Sequence, residues 1–345
     1  MSDSNKPIPI VMSADDNYFI PLAVSILSIL LNKNDSTNLA FYILTPGKFD
    51  EKYKNIINKL LINNKQNKAF FISMGDCYND SHLSIPHTSI PTYYRLSLPE
   101  LIKEDSCIYL DADTLILNDL SDLLEMVDDD KMLYGVRAAG YCWPVEYTKE
   151  KATRLHIQNL DTYINAGVLV MNLRSMRTNN VSLLFQKLLK ETWESQDQDI
   201  LNSACYGHIA ILPPKYNSMT KYQNDSFESY NSPIHPYLKL CYSPDQWKEA
   251  CEDPVIIHYA DEIKPWDSLS LPFSYLWWKY LRLFDKDYPC YDECFKKLVA
   301  KEKTNINDVR LQKAMQDLDS INHSLSFKIG RFITYPFRKL KDLIR

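Results

Sequence analysis

Glycine is scarce, with seven in 345 residues. Neither G-x-G-x-x-G nor G-x-x-x-x-G-K-[ST] occurs, so a glycine-rich cradle for a dinucleotide or triphosphate is excluded. The eight cysteines include no C-x-x-C. The closest pair, Cys290 and Cys294, has no neighbouring His or further Cys to complete a zinc pattern. Several cysteines, Cys107 among them, sit in apolar runs, which predicts reduced core thiols in a cytosolic setting rather than a disulfide scaffold. The longest nearly apolar run, residues 21–31, is too short to span a bilayer. The polar start carries no basic n-region of a signal peptide. The expectation is a soluble or peripheral cytoplasmic protein. A net charge of −5 gives no general case for nucleic acid as a partner.

What is present is globular: 45% hydrophobic and 24% charged residues, enough chain for one large domain or a domain with an appendage. Apolar runs at 8–12, 39–44 and 69–73 read as strands. The helical patterns at 21–31 and 49–61 lie between them. This β-α-β-α-β order predicts a largely parallel sheet. Further strands are expected at 107–110, 131–136, 163–172, 209–212 and 255–257, and helices at 122–126 (with Ser121 as N-cap), 181–193, 273–284 and 301–319.

The chemistry collects at strand ends. Cys107 to Leu117 reads CIYLDADTLIL, placing Asp111 and Asp113 where an apolar strand leaves the core. Two close carboxylates there are costly unless a cation lies between them, and such oxygen sites suit Mg²⁺ or Mn²⁺ held together with substrate phosphates. Asp is also an ordinary turn residue, so Asp-x-Asp alone leaves both readings open. Asp15, Asp16 and Asn17 after the first strand fit either a base and ribose or a helix cap. Arg95, inside the apolar segment TYYRL, calls for an anionic partner. Asn165, Ala166 and Gly167 form a small-residue turn that permits close approach to the backbone. Asp197, Gln198 and Asp199 open a helix and fit either a dipole-favoured cap or a substrate site. His258 leaves a buried strand, with Lys264 six residues on. Tyr141, Trp143 and Tyr147 fit an aromatic acceptor platform or plain packing. His82 and His87 lie in an irregular loop, where metal ligation is the less frequent role. The tail 326–345 interleaves apolar side chains with six basic residues and one acid, which fits either an interfacial segment on anionic lipid or a packed terminal helix.

Taken in order, IPIVMSADDNY, TYYRL, YLDADTLIL, YINAGVLVMNL with DQDILN, and HYADEIKPW resemble the retaining glycosyltransferases of family 8. That family includes bacterial lipooligosaccharide and lipopolysaccharide galactosyl- and glucosyltransferases and, more distantly, glycogenin. The resemblance implies an α/β GT-A fold, a Rossmann-like mixed, mainly parallel sheet flanked by helices, expected over residues 1–270; the aromatic-rich and charged stretches beyond it predict a helical C-terminal region at 271–345. It implies a UDP-sugar donor (UDP-galactose or UDP-glucose), a divalent cation, usually Mn²⁺ with Mg²⁺ as the alternative, and a glycan acceptor. Residue by residue, Ser13, Asp15, Asn17 and Tyr18 match positions that hold uridine and ribose, with Tyr18 on the uracil. Asp111, Ala112, His258 and Lys264 match further UDP-binding positions, Lys264 on the diphosphate, and Asp111, Asp113 and His258 the metal ligands. Arg95, Asp111, Asn165, Ala166, Gly167, Asp197 and Gln198 match positions around the donor sugar. Gln198, Asp197 and Asp199 are the catalytic candidates. Asp261 stands where the family often has Gly, so either its carboxylate is expected to point away from the phosphates or the loop to run differently. The rival expectations are a glycogenin-like self-glucosylating enzyme and a UDP-sugar-binding protein without transfer.

Overall fold

The computed structural model describes residues 6–62, 66–85, 88–222, 227–232 and 236–302. The basic tail at 326–345, most of the charged stretch 301–319, and His87 lie outside the described residues. The chain divides into two compact units, Met1–Glu262 and Ile263–Arg345.

The first unit begins with β1 (Ile8–Ser13), α1 (Phe19–Asn32), β2 (Leu39–Thr45), α2 (Glu51–Leu61) and β3 (Lys68–Ser73). These are the five elements expected from periodicity. Asp50 caps α2 by accepting Lys52 N–H at 2.9 Å. A 3₁₀ helix, Ile90–Ser97, carries Arg95 and runs into α3 (Leu98–Leu101). Next come β4 (Cys107–Asp111), β5 (Thr114–Ile116), α4 (Ser121–Glu125), β6 (Leu133–Arg137), α5 (Val145–Arg154) and β7 (Ile164–Met171). The unit is completed by α6 (Leu173–Thr178), α7 (Val181–Leu188), α8 (Gln196–Ala204), β8 (Ile209–Ile211), β9 (Ser218–Met219), α9 (Pro244–Glu252) and β10 (Ile256–His258).

Seven strands form one sheet in the order β3-β2-β1-β4-β7-β6-β8. β3, β2, β1 and β4 are parallel, β7 runs antiparallel to both its neighbours, and β8 is parallel to β6. The chain winds outward from β1 to β3, then returns to the other side of β1 as β4. The crevice at this reversal lies at the carboxyl ends of β1 and β4, where open α/β sheets bind ligands. Ser13 and Asp111 are register partners there. A second, three-stranded sheet has the order β5-β10-β9, with His258 opposite Thr114 and beside Met219. His258 thus reaches the site from this small sheet and not from the parallel one.

Three local expectations need correction. Ser121 is not the N-cap of α4 but its first residue; the cap position is Leu120, and Asp119 accepts Ser121 N–H at 2.8 Å. α7 stops at Leu188, whose carbonyl accepts Trp193 Nε1–H at 2.7 Å and so closes the helix short of 193. Cys142 and Cys241 are joined in a disulfide, against the expectation of reduced thiols throughout; the other six cysteines are free.

The second unit contains α10 (Ser274–Phe284) and α11 (Tyr291–Glu302). Trp278 packs edge-on to Tyr291 and Phe295 and donates its indole N–H to Pro265 O at 2.8 Å. No helix among the described residues is long and apolar enough to cross a membrane.

Candidate active site

Cys107, Ile108, Tyr109 and Leu110 are fully buried, so β4 is anchored along its length and Asp111 emerges at its end. Thr114 Oγ1 donates to Asp111 O at 2.8 Å and closes the Asp-Ala-Asp turn. Tyr259 N–H donates to Asp113 O at 3.1 Å, which holds the end of β10 against that turn. His258 Nε2 consequently lies 3.8 Å from Asp111 Oδ2 and 3.4 Å from Asp113 Oδ1. Three candidate ligand atoms, one from each residue, fall within 4.8 Å of one another, the one such cluster among the described residues.

The floor of this cluster is Gly167. A Cβ there would stand 2.1 Å from His258 Cε1 and 2.7 Å from Asp111 Oδ2. The bare backbone is what lets imidazole and carboxylate converge. Two carboxylate oxygens and one imidazole nitrogen suit Mn²⁺, and Mg²⁺ less because of its preference for oxygen. The residues present therefore fit a divalent cation.

Arg95 binds the acidic groups together. It is 3% exposed. Its Nη2 donates to Asp111 Oδ1 at 2.8 Å, its Nη1 donates to Ala166 O, and its Nε, donating to Thr92 O, lies 3.0 Å from Asp197 Oδ2. The guanidinium also covers the Tyr109 ring at 4.2 Å. Burial opposes its charge, but Asp111 and Asp197 outweigh that and hold its pKa above the ordinary value. Asp197 responds in the other direction: burial pushes its carboxyl up to about 6, although Arg95 and Thr92 counter the rise. Thr92 Oγ1 donates to Asp197 Oδ1 at 2.7 Å.

Gln198 faces the Asn-Ala-Gly turn. Its Oε1 accepts Ala166 N–H and Asn165 Nδ2–H, both at 3.1 Å, and its Nε2 donates to Tyr163 Oη at 3.0 Å. The Tyr163 hydroxyl donates onward to Asp199 Oδ1 at 2.5 Å. Asp199 also holds Lys151 Nζ at 3.0 Å and accepts Ser195 N–H at 2.7 Å. Burial, then the Asp199 charge, drives the Tyr163 phenol well above its ordinary pKa, so it stays a neutral donor.

The first-strand residues divide. Ser13 ends β1 and is 9% exposed. Asp15 caps the 3₁₀ turn Asp16–Tyr18 by accepting Tyr18 N–H at 3.0 Å, the capping reading, with Asn17 exposed and Tyr18 half-buried. Asp261 turns its Oδ1 to Glu262 N–H at 2.9 Å and Lys221 Nζ at 3.3 Å. Lys264 is buried and belongs to the second unit. His82 belongs to the loop at the 3₁₀ helix, where its carbonyl accepts Tyr93 Oη–H at 2.6 Å. Trp143 and Tyr147 group with Tyr237 at ring separations of 4.8 to 6.4 Å, and Tyr141 packs edge-on to Tyr163.

Sequence reasoning missed Thr92, Tyr109, Tyr163, Lys151 and Asn217 as parts of this network. Thr92, Tyr109 and Tyr163 lie inside the quoted motifs and were within reach as polar groups beside acids. Asn217, whose Oδ1 lies 2.9 Å from His258 Nδ1, stands in no motif.

The sequence model described as Glycosyl transferase family 8 matches residues 9–270. General stress protein A of Bacillus subtilis is 25% identical over 272 residues, covering 75% of this chain and 87% of the relative. A lipopolysaccharide 1,2-glucosyltransferase of Escherichia coli is 26% identical over 349 residues, covering 95% and 92%. Among solved structures, the galactosyltransferase LgtC in complex with donor and acceptor sugar analogs superposes with a TM-score of 0.63 at 24% identity, covering 84% of this chain and 100% of that one. At that identity the likeness speaks for the fold, and it bears out the expected GT-A arrangement.

Proposed function

The chain belongs to glycosyltransferase family 8, and from that premise we propose that it moves galactose or glucose from a UDP-sugar to a bacterial cell-surface glycan with the anomeric configuration retained. The observation that carries this reading is the convergence of Asp111, Asp113 and His258 over Gly167 at the sheet reversal. The name of the lipopolysaccharide 1,2-glucosyltransferase relative supports a lipopolysaccharide-type acceptor, and the basic, apolar composition of 326–345 supports a place at the inner face of the membrane.

In this reading Asp111, Asp113 and His258 hold the divalent cation. When bound, the cation neutralises the charge that gathers on the leaving diphosphate. Ser13, Asp15, Asn17 and Tyr18 take the uridine. Arg95 ties Asp111 and Asp197 together and aligns them at the sugar. Gln198 braces the Asn165–Ala166–Gly167 turn and steadies positive character at the anomeric carbon. Asp197 is bound to Arg95 and Thr92, and Asp199 is enclosed by Tyr163, Lys151 and Ser195. Neither is offered as a free nucleophile, which favours attack by the acceptor on the face that UDP leaves, with a phosphate oxygen taking its proton.

The test is UDP release from a panel of UDP-sugars with Mn²⁺. Hydrolysis of UDP-galactose or UDP-glucose that stops on chelation is the expected result. Failure to release UDP from any member would overturn the proposal.

A further inference from the structure

Two backbone N–H groups set the orientation of the side-chain amides around the candidate cation site. Ala166 N–H reaches Gln198 Oε1 at 3.1 Å, and Gly167 N–H reaches Asn165 Oδ1 at 3.0 Å. A backbone amide only donates, so each one dictates which end of the side chain faces it. With Asn165 Oδ1 thus fixed as an acceptor, Asn217 must turn its Nδ2 toward it, at 2.9 Å. Asn217 Oδ1 is then the atom that faces His258 Nδ1, also at 2.9 Å. An amide oxygen only accepts, so the neutral imidazole carries its one N–H on Nδ1. The Nε2 lone pair is left toward Asp111 and Asp113. The opposite tautomer would set two lone pairs against each other at Nδ1 and aim an N–H at the cation position. Asn217 is fully buried, at the end of the turn Pro214–Asn217 that enters β9, the strand paired with β10. It can neither swing away nor exchange this partner for bulk water.

We infer that Asn217 is a positioning residue that locks His258 in the Nδ1–H tautomer and so presents Nε2 to a divalent cation before one arrives. The same amide ties that arrangement to the Asn165–Ala166–Gly167 turn. The inference rests on the proposed transfer reaction for the use of the site, but its test does not need transfer.

The first readout is nitrogen NMR of metal-free, full-chain protein labelled with ¹⁵N-histidine, at a pH where the imidazole is neutral. The His258 signals are identified by their loss in His258→Gln. The expected spectrum has a protonated Nδ1 and an unprotonated Nε2. In Asn217→Leu the preference disappears, and Mn²⁺ affinity, read by electron paramagnetic resonance, falls about 10- to 100-fold. Asn217→Asp still accepts from Nδ1 but cannot donate to Asn165, so it keeps the tautomer and the Mn²⁺ affinity. An Nε2–H tautomer in the wild type overturns the inference. So does wild-type Mn²⁺ affinity in Asn217→Leu, or loss of the tautomer in Asn217→Asp. If Asn217→Leu does not fold, the wild-type and Asn217→Asp spectra decide. Should the tautomer and Mn²⁺ binding hold while no UDP-sugar is turned over, the transfer reading fails and this one stands.

Discussion

Gly167 and His258 share a space that holds only one of a methyl group and an imidazole. A Cβ at 167 would lie 2.1 Å from His258 Cε1, against about 3.5–4.0 Å for carbons in contact. Gly167→Ala must therefore displace His258 or the turn that carries residue 167. A displacement of about 1 Å at a reacting centre costs on the order of 10²-fold in rate. UDP release should fall by that order, with Mn²⁺ affinity falling in parallel. Unchanged Mn²⁺ binding would mean that His258 is not a ligand.

Asp113→Asn removes a charge from a crowded acidic pair. Transfer or hydrolysis should drop on the order of 10²–10³-fold. Thermal stability should hold or rise slightly, because the repulsion from Asp111 is relieved. A large loss of Tm with activity retained would instead make Asp113 a structural residue.

Arg95 is buried between Asp111 and Asp197. Replacing it by Met leaves two carboxylates without their cation, at a cost of about 3–5 kcal/mol. Urea unfolding should show that loss, and Arg95→Met/Asp197→Asn should recover part of it. Additive losses in the double variant would argue against direct coupling.

Asp197 gives the fold a particular pH response. Its carboxyl is raised from 3.8 to about 6 by burial. The folded state thus holds this proton more tightly than the unfolded chain does. The contribution is complete below the unfolded value and is lost as pH rises through the folded one. Between about pH 4 and 6, wild-type stability should fall with rising pH relative to Asp197→Asn. Melting curves of the two proteins across that window measure the difference; a constant difference would place the Asp197 pKa at its ordinary value.

The Cys142–Cys241 bond spans 99 positions in sequence. Closing a loop of this length restricts the unfolded chain, and its loss should cost about 2–5 kcal/mol. Cys142→Ser, or reduction by dithiothreitol, should lower the unfolding midpoint accordingly. Peptide mapping without reductant should recover the two cysteines linked; finding both alkylated would remove the bond.

The parallel half of the sheet was legible because β1, β2 and β4 are nearly continuous apolar runs with helical patterns between β1, β2 and β3. The grouping of Asp111, Asp113 and His258 was legible through motif order, because these residues follow apolar runs. The small sheet was not. β10 was expected as a strand at 255–257, but β9 has two residues, too short for any period to register, and the pairing of β10 with β5 and β9 is long-range. Asn217 ends a proline-led turn beside Lys215 and Ser218 with no pattern to mark it, and only the folded chain sets it against His258. Cys142 and Cys241 carry no spacing signal, and Ser121 looked like a cap because its type suits one while Asp119 does the accepting.

The placement of His258 on the three-stranded sheet has a consequence for the chain during its own synthesis. All seven strands of the large sheet have been delivered once Ile211 leaves the ribosome. At that moment Asp111 and Asp113 can already occupy the sheet reversal, but the imidazole has not been made. A product released between these points would hold every strand of the large sheet and both acids but lack the candidate third ligand. In the proposed reading, premature termination there would remove the cation site whole and not merely slow the reaction.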